Sequence, residues 1–242
     1  MRIVRGEDFV KGRSHCTSCG HELSAADLVP VFSFCLHKGK CRYCGEKISL
    51  RYPLTELFFM TLSLGLYVPY ICFCFGNPIT FFKYWFLTGC LFVTALTDLE
   101  IFEIPDGVLI TGGISWIIFT GAELFLGIHD VMWVLNHLLA CVIIAGVMLL
   151  LSLIMDKIMG RDSLGGGDIK LFALLGLYLG YGGSYELIIL SCVLGLIFAL
   201  IRKILLPNAS KEFPFGPSLA FAGYLLLIFG DRITDWYLGL FF

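Results

Sequence analysis

Charge is scarce in this chain. Of its 242 residues, 15% are charged and 58% are hydrophobic, whereas a soluble globular domain carries about 25% charged residues. This composition excludes a soluble domain of ordinary type. The charges also nearly cancel, with 17 basic and 19 acidic residues and a formal net charge of −2, so the balance does not favour nucleic acid or a strongly acidic partner.

Other common features are absent as well. A cleavable signal peptide places an apolar core after a short basic start, but Met1-Arg2-Ile3-Val4-Arg5-Gly6 leads into further charged residues. The sequence contains no internal repeat, no low-complexity tract and no glycine-rich nucleotide loop of the Rossmann type. Without a cleavable signal peptide, we expect the chain to stay anchored in a membrane.

Seven apolar runs approach the length of about 20 residues that crosses a bilayer. They are 53–75, 79–97, 107–127, 131–155, 169–181, 184–204 and 216–229. Backbone groups in lipid must be satisfied within the segment, which requires helices here. The sequence therefore predicts an all-α polytopic membrane protein with about seven transmembrane helices.

The chain divides into two regions of different composition. Residues 1–52 are polar, rich in Lys and Arg, and lack a run long enough to cross the bilayer. We expect them to form a small domain on one side, and residues 53–242 to form the transmembrane domain. Because Lys and Arg accumulate in cytoplasmic loops, that small domain is predicted to be cytoplasmic.

Positive charge fits this orientation. With the small domain inside, three predicted loops are also inside, namely 98–106, 156–168 and 202–215. Fifteen of the 17 basic residues then fall on the cytoplasmic side, and only Lys83 and Arg232 fall toward the opposite face.

Four of the ten cysteines form two matching C-x-x-C-G units, with 21 residues between Cys19 and Cys41: Cys16-Thr17-Ser18-Cys19-Gly20 and Cys41-Arg42-Tyr43-Cys44-Gly45. Two such knuckles complete a tetrahedral zinc site with four thiolate ligands. We expect Cys16, Cys19, Cys41 and Cys44 to hold a structural zinc ion, which stabilises a domain too small to fold on its own core. Structural disulfides are the alternative, although a reducing cytoplasm disfavours them. A ligand supplied by His15 or His21 is another.

Two aspartates, Asp98 and Asp168, lie at the ends of apolar runs on the predicted cytoplasmic side. A carboxylate at a membrane boundary is costly and is by default a functional candidate. Asp168 alternatively caps the helix that follows it, whereas the helix macrodipole opposes Asp98 at the end of its helix. The three preceding glycines, Gly165, Gly166 and Gly167, allow another chain to approach closely. We therefore predict a catalytic pair, with these glycines as an active-site loop.

The segment from Asp98 to Asp106 contains further acidic residues and no basic one. Asp106 follows a proline and is interpreted as the cap of the next span. Glu100 and Glu103 are either solvated loop charges or a patch that attracts a basic peptide.

The ordered motifs resemble those of bacterial type IV prepilin peptidases, which are GxGD-type aspartic proteases of the cytoplasmic membrane. The motifs that carry the resemblance are Gly12-Arg13-Ser14-His15-Cys16-Thr17-Ser18-Cys19, Asp27-Leu28-Val29-Pro30, Lys40-Cys41-Arg42-Tyr43-Cys44, Ile48-Ser49-Leu50-Arg51-Tyr52-Pro53, Glu56, Asp98, Ile104-Pro105-Asp106, Gly165-Gly166-Gly167-Asp168-Ile169-Lys170 and Pro214-Phe215-Gly216-Pro217. Asp98 and Asp168 match the catalytic aspartates of that family, and the four knuckle cysteines match its cysteine tetrad.

The resemblance implies a substrate and a location. It implies removal of the basic leader from type IV prepilins or pseudopilins, after a glycine and on the cytoplasmic side of the bacterial inner membrane. The system served would be a type IV pilus, a competence apparatus or type II secretion. The knuckles argue against the archaeal preflagellin peptidases, which lack the cysteine domain.

The resemblance also implies a second activity in many members, which is methylation of the new N-terminus with S-adenosylmethionine. Family members usually open with an additional transmembrane helix, whereas this chain begins about ten residues before its Gly12-Arg13-Ser14 motif. A peptidase without the methyltransferase is therefore an alternative.

Two close carboxyl groups suit general acid–base catalysis without a covalent intermediate. Like-charge repulsion keeps one neutral while the other stays ionised, so one can draw a proton from the attacking water and the other can donate one. The sequence does not assign these roles. More distant alternatives are an ion carrier, which would place its acidic residues near the midplane, and a zinc-dependent assembly protein of a secretion apparatus.

Overall fold

The computed structural model describes residues 13–72, 77–160, 164–205 and 213–239. Several residues used in the sequence predictions lie outside these ranges, namely the segment 1–6, Lys11, Gly12, the end of the first apolar run at 73–75, Arg161 and Lys211. The chain forms two compact units, Met1–Gly65 and Leu66–Phe242, which are described separately. The domain boundary predicted near residue 52 stays a prediction.

The first unit contains two loops of the same design. In each, the N–H of the first cysteine bonds to the carbonyl five residues later, and the glycine N–H bonds back to the carbonyl of that cysteine. Gly20 and Gly45 have φ angles of +70° and +73°, a conformation open to glycine at little cost. Isolated antiparallel bridges, His15 to Glu22 and Lys40 to Lys47, close the two loops.

A short segment joins the two loops. It contains a 3₁₀ turn at Ala25–Leu28 and helix α1 at Phe32–Leu36. Val31, just before α1, has a φ of +60°, which is unusual for a β-branched residue. Its N–H donates to Glu56 Oε2 at 2.8 Å, so α1 is tied to helix α2 at Arg51–Tyr67.

Long helices dominate the rest of the chain. After α2 and a π turn at Val68–Cys72 come α3 (Pro78–Ile101), α4 (Asp106–Phe125), α5 (Val131–Met159), α6 (Gly166–Leu205) and α7 (Gly216–Leu238). Within the described ranges, five helices are long and apolar enough to span a membrane, and a shorter apolar helix covers Gly216–Gly230. The all-α membrane architecture is confirmed, while the count of about seven spans stays a prediction.

Helix α6 contains two of the predicted runs, 169–181 and 184–204. Gly180 leaves helical geometry, with φ of +67° and ψ of −165°. A Cβ built on Gly176 would lie 3.3 Å from Ser184 Oγ, although eight residues of a straight helix span about 12 Å. The chain therefore bends sharply at Gly180.

The core of the second unit lies around α6. This helix packs against α5 and α7, while α3 packs against α4 and α7. Leu171, Leu175 and Tyr178 of α6 are almost completely buried. The Tyr178 hydroxyl donates to the Gly112 carbonyl at 2.9 Å, which also links α6 to α4 and fixes the helices that carry the candidate site.

Candidate active site and metal centre

Asp98 lies in the last turn of α3. The helix ends at Ile101, and Phe102 adopts a left-handed conformation with φ of +55°, its N–H bonding to the Asp98 carbonyl. The prediction of a loop over 98–106 was therefore too long. No helix breaker occurs before Pro105, so the helical hydrogen bonds continue past Asp98.

The Asp98 side chain is turned inward. The residue is 6% exposed, and its Oδ2 accepts a hydrogen bond from the Gly216 N–H at 2.8 Å. Gly216 is the first residue of α7. This contact was not predicted from the sequence, although the Pro214-Phe215-Gly216-Pro217 motif contains its donor.

Asp168 is the third residue of α6. The helix begins at Gly166, so the alternative in which Asp168 is the N-cap is wrong by three positions. The Gly165 backbone bonds back to the Asp168 carboxylate, as an acidic side chain at the third helical position commonly allows. Asp168 Oδ1 is buried and has no hydrogen-bond partner within the described ranges.

The glycine loop allows a close approach on its inner side. A Cβ on Gly167 would lie 2.9 Å from Ile104 Cβ, and a Cβ on Gly165 would lie 3.2 Å from Asp168 Oδ2. Gly166 is exposed and has open space beside it. The loop thus packs against the connection that follows α3.

These contacts bring the two carboxyl groups to one end of the helices. Asp98 is close enough to Asp168 to act on it electrostatically. Both lie in terminal turns, Asp98 of α3 and Asp168 of α6. Two such groups, one with an oxygen still open for a hydrogen bond, can exchange protons with a bound water and a peptide.

Asp106 has a role other than the predicted cap. It is the first residue of α4, and Pro105 occupies the cap position without a side-chain hydrogen bond. Its Oδ1 pairs with Lys170 Nζ at 2.6 Å. A proline at the cap leaves Asp106 one position too far along to cap the helix, and its charge instead links α4 to α6.

The two glutamates of the predicted patch lie in different elements near the end of α3. Glu100 is half-buried in the last turn of α3, and Glu103 is exposed in the connection to α4. Lys170 offsets the negative charge of Asp106 nearby, so the surface is less acidic than the sequence alone predicts.

The four knuckle cysteines come together in the first unit. The sulfur atoms of Cys16, Cys19, Cys41 and Cys44 all lie within 4.8 Å of one another. Cys16 Sγ and Cys44 Sγ are 3.9 Å apart, and a tetrahedral site with metal–sulfur bonds of about 2.3 Å has edges of about 3.8 Å. The cluster has the donor set and spacing to hold one metal ion.

Asp27 fixes the segment between the knuckles. Its Oδ2 accepts from the Ser24 hydroxyl at 2.7 Å, the Ser24 N–H at 3.0 Å and the Tyr43 hydroxyl at 3.1 Å. The Ser24 hydrogen bonds, with smaller help from Tyr43 and the Arg42 charge, lower the pKa of Asp27. Since Tyr43 belongs to the second knuckle, Asp27 ties that knuckle to the segment before α1.

A second polar cluster, which the sequence analysis missed, lies far from the aspartates along α3. Lys83 and Glu123 are completely buried and form an ion pair between α3 and α4. Thr80 Oγ1 donates to the other carboxylate oxygen of Glu123 at 2.7 Å, and the Trp133 ring lies 4.9 Å from Lys83 Nζ. The sequence did contain a signal for this ion pair, because Glu123 and Lys83 are the single charged residues of two consecutive predicted spans.

Two family models match this chain. The bacterial peptidase A24 N-terminal domain matches residues 1–70, and the type IV leader peptidase family matches residues 85–200.

Relatives named prepilin leader peptidase/N-methyltransferase cover most of the chain. The protein of Aeromonas salmonicida (strain A449) is 35% identical over 233 residues, which are 93% of this chain and 74% of the relative. That of Bacillus subtilis (strain 168) is 30% identical over 238 residues, which are 98% of this chain and 90% of the relative. That of Pseudomonas aeruginosa is 32% identical, covering 96% of this chain and 76% of the relative. No solved structure matches.

Proposed function

The chain belongs to the type IV leader peptidase family, whose members process type IV prepilins, and on that premise we propose that Asp98 and Asp168 are its catalytic pair. The observation that supports the proposal is the placement of the two carboxyl groups, in the last turn of α3 and the first turn of α6, near enough for the charge of Asp98 to act on Asp168. Family membership also sets aside the ion-carrier and assembly-protein alternatives.

The proposed reaction is hydrolysis by a water molecule between the two carboxyls. One ionised carboxylate takes a proton from the water as its oxygen bonds to the scissile carbonyl carbon. The other carboxyl, still protonated, gives its proton to the leaving amine as the C–N bond breaks. The buried oxygen Asp168 Oδ1, which has no hydrogen-bond partner in the part of the chain that the structure describes, can accept a hydrogen bond from this water.

The proposed substrate is the basic leader of a type IV prepilin or pseudopilin, cut after a glycine. An extended peptide can lie against the exposed Gly166, which has open space beside it. We place the site on the cytoplasmic side of the bacterial inner membrane, because 15 of 17 basic residues fall on that predicted face.

The purified protein should be incubated with a purified prepilin, and the product should be weighed by mass spectrometry. We expect a shortened product whose mass locates the cut after the glycine that ends the leader. A full-length prepilin, recovered unchanged under conditions in which the enzyme is folded, contradicts the proposal.

The same spectrum tests N-methylation. The relatives' names include N-methyltransferase, and we propose that this chain also methylates the new N-terminus with S-adenosylmethionine. The described residues contain no strand–loop–helix of the Rossmann type, so no residue is assigned to the cofactor. If the product lacks the added mass of one methyl group when S-adenosylmethionine is supplied, the methyltransferase proposal is contradicted and the peptidase proposal still stands.

We further propose zinc as the metal of the four cysteines. Four thiolates at tetrahedral spacing are the usual ligand set of structural zinc, and with all four positions filled by protein the ion has no open position for substrate. Zinc here therefore stabilises the first unit, and the peptide chemistry is left to the aspartates.

Glu100 and Glu103 are proposed to attract the basic leader. Glu100 lies in the last turn of α3 and Glu103 in the connection to α4, two and five residues after Asp98. Replacing both with Gln should raise KM for a prepilin, and more at low than at high salt because exposed charges are screened. A KM that stays at the parent value at both salt concentrations identifies them as solvated surface charges.

A further inference from the structure

The first turn of α7 bears directly on the catalytic pair. Residues 98 and 216 are 118 positions apart in the chain, yet Asp98 Oδ2 accepts the Gly216 N–H at 2.8 Å. We infer that Gly216 is a positioning residue, whose backbone N–H and missing side chain hold the Asp98 carboxylate in its catalytic orientation. This inference rests on the proposed peptidase function.

In the first turn of α7, Gly216 provides the N–H that can bond to Asp98. Pro217 has no N–H, and the N–H groups of Ser218 and Leu219 bond to the Phe215 carbonyl at 3.0 and 3.1 Å. Gly216 therefore supplies the N–H that the first turn has free for Asp98. A helix start also favours a negative charge beside it, because the macrodipole is positive there.

The missing side chain matters as much as the donor. A Cβ on Gly216 would lie 2.7 Å from Asp98 Oδ2, 3.0 Å from Cγ and 3.2 Å from Cβ. Those atoms belong to a buried residue, so the carboxylate has little room to move aside. The glycine is needed for space, and any larger residue would push the carboxylate out of place.

Phe215 connects this contact to the second aspartate. Its ring packs against Phe172 with centroids 6.3 Å apart, and a Cβ on Gly195 would lie 3.0 Å from its Cε2. Phe172 lies one turn after Asp168 on α6. The start of α7 thus packs against α6, the helix that carries Asp168. Through the Gly216 N–H, it also binds the Asp98 carboxylate.

One contact therefore sets the distance between the two carboxyls. Asp98 is fixed to Gly216, and the neighbouring Phe215 is fixed to α6. If Gly216 shifts, Asp98 shifts relative to Asp168. Because Gly216 touches the carboxylate and not the peptide-binding surface proposed at Gly166, we expect the defect to lie in turnover.

The test compares Gly216→Ala with Gly223→Ala in the full chain, using a purified prepilin as substrate. Gly223 lies on the same helix, and its added Cβ would meet Leu175 Cδ2 at 2.6 Å, which is an equally tight contact without a carboxylate. We expect Gly216→Ala to lower kcat about 100-fold, since a displacement of about 1 Å can have that effect, with KM within about twofold of the parent. Gly223→Ala should keep kcat within about threefold at a similar loss of thermal stability.

Equal kcat losses in the two variants, or a parent-like kcat in Gly216→Ala, overturn the inference while leaving the peptidase assignment intact. A parent protein that cleaves no prepilin overturns the function itself, and the inference with it. If Gly216→Ala does not fold, Phe215→Leu takes its place. This substitution weakens the packing of the start of α7 against α6 without adding an atom near Asp98. A lower kcat at constant KM supports the inference, and a parent-like kcat contradicts it.

Discussion

At four glycines of this protein, the absence of a Cβ atom determines the local structure. Gly167 and Gly216 are required for space, since a Cβ would press on Ile104 in one case and on Asp98 in the other. Gly20 and Gly45 have open space but left-handed φ angles, so they are required for conformation. All four lie in motifs that the sequence displays, but only the packing and backbone angles around each glycine separate the two causes.

The candidate site shows the same division between sequence and structure. Asp98 and Asp168 were predictable because carboxylates at span ends are costly. The Gly216 donor was not, because a backbone N–H carries no signature of its partner 118 residues away. The Lys170 partner of Asp106 was missed for a related reason, since no local pattern connects the starts of α4 and α6.

Asp27 provides a prediction at the residue scale. Hydrogen bonds from Ser24 lower its pKa, so the ionised carboxylate stabilises the folded first unit above the unfolded pKa of about 3.9. That stabilisation is lost as the pH falls through the folded value. Asp27→Asn should therefore speed amide exchange in residues 24–37 roughly tenfold at pH 7.

The difference between parent and variant should shrink as the pH falls below about 4. Hydrogen exchange at several pH values measures it, with Glu46→Gln as a control because Glu46 lies in the second knuckle outside the Asp27 hydrogen bonds. A difference that is the same at every pH shows that the Asp27 charge is not the cause.

Helices were predictable as elements, but their ends and breaks were not. The apolar runs locate α3 to α7 because only helices satisfy the backbone in lipid. The run ending at 97 did not show that α3 continues to Ile101, since its last turn is polar. Nor did two separate runs show that 169–181 and 184–204 join at Gly180 within one bent helix.

Helix α3 carries a functional candidate at one end and a structural ion pair at the other. Lys83 and Asp98 are 15 residues apart, or about 22 Å along a helix. The Lys83–Glu123 pair is completely buried between α3 and α4, where an unpaired charge is costly. We interpret this pair as the device that fixes α3 against α4, and not as part of the chemistry.

Lys83→Met should therefore destabilise the protein by about 3–5 kcal/mol, because it leaves Glu123 buried without its cation. The double variant Lys83→Met with Glu123→Leu should recover most of that loss, since two apolar side chains need no partner. Unfolding in mixed detergent micelles measures both. If the double variant is no more stable than the single one, the pair is not coupled as described.

At the scale of the whole molecule, the chain combines two units that are stabilised differently. The second unit has an apolar core centred on α6. Among its described positions 13–65, the first unit has two buried residues, Cys41 and Pro53, and Cys41 belongs to the four-sulfur cluster. The proposed metal would therefore replace much of the missing core in this unit.

Metal removal should act on one unit and spare the other. We expect about one zinc ion per chain by elemental analysis. After a chelator removes it, amides of residues 13–50 should exchange much faster, while those of α3 and α6 keep their protection. Cys35→Ser is the matched control, because Cys35 is an exposed free cysteine outside the cluster. Unchanged exchange in a metal-free sample contradicts a structural metal.

The central claim is that two carboxyls act together on one peptide bond. The most direct test is prepilin cleavage by Asp98→Asn and Asp168→Asn, each purified in the membrane-inserted, folded state. The control is Asp130→Asn, because Asp130 is the N-cap of α5 and accepts a hydrogen bond from the Trp133 N–H. Each of the first two variants should lose nearly all leader removal, since an amide can neither accept nor donate the required proton, while the control cleaves like the parent. Cleavage near the parent rate by either catalytic variant contradicts the account.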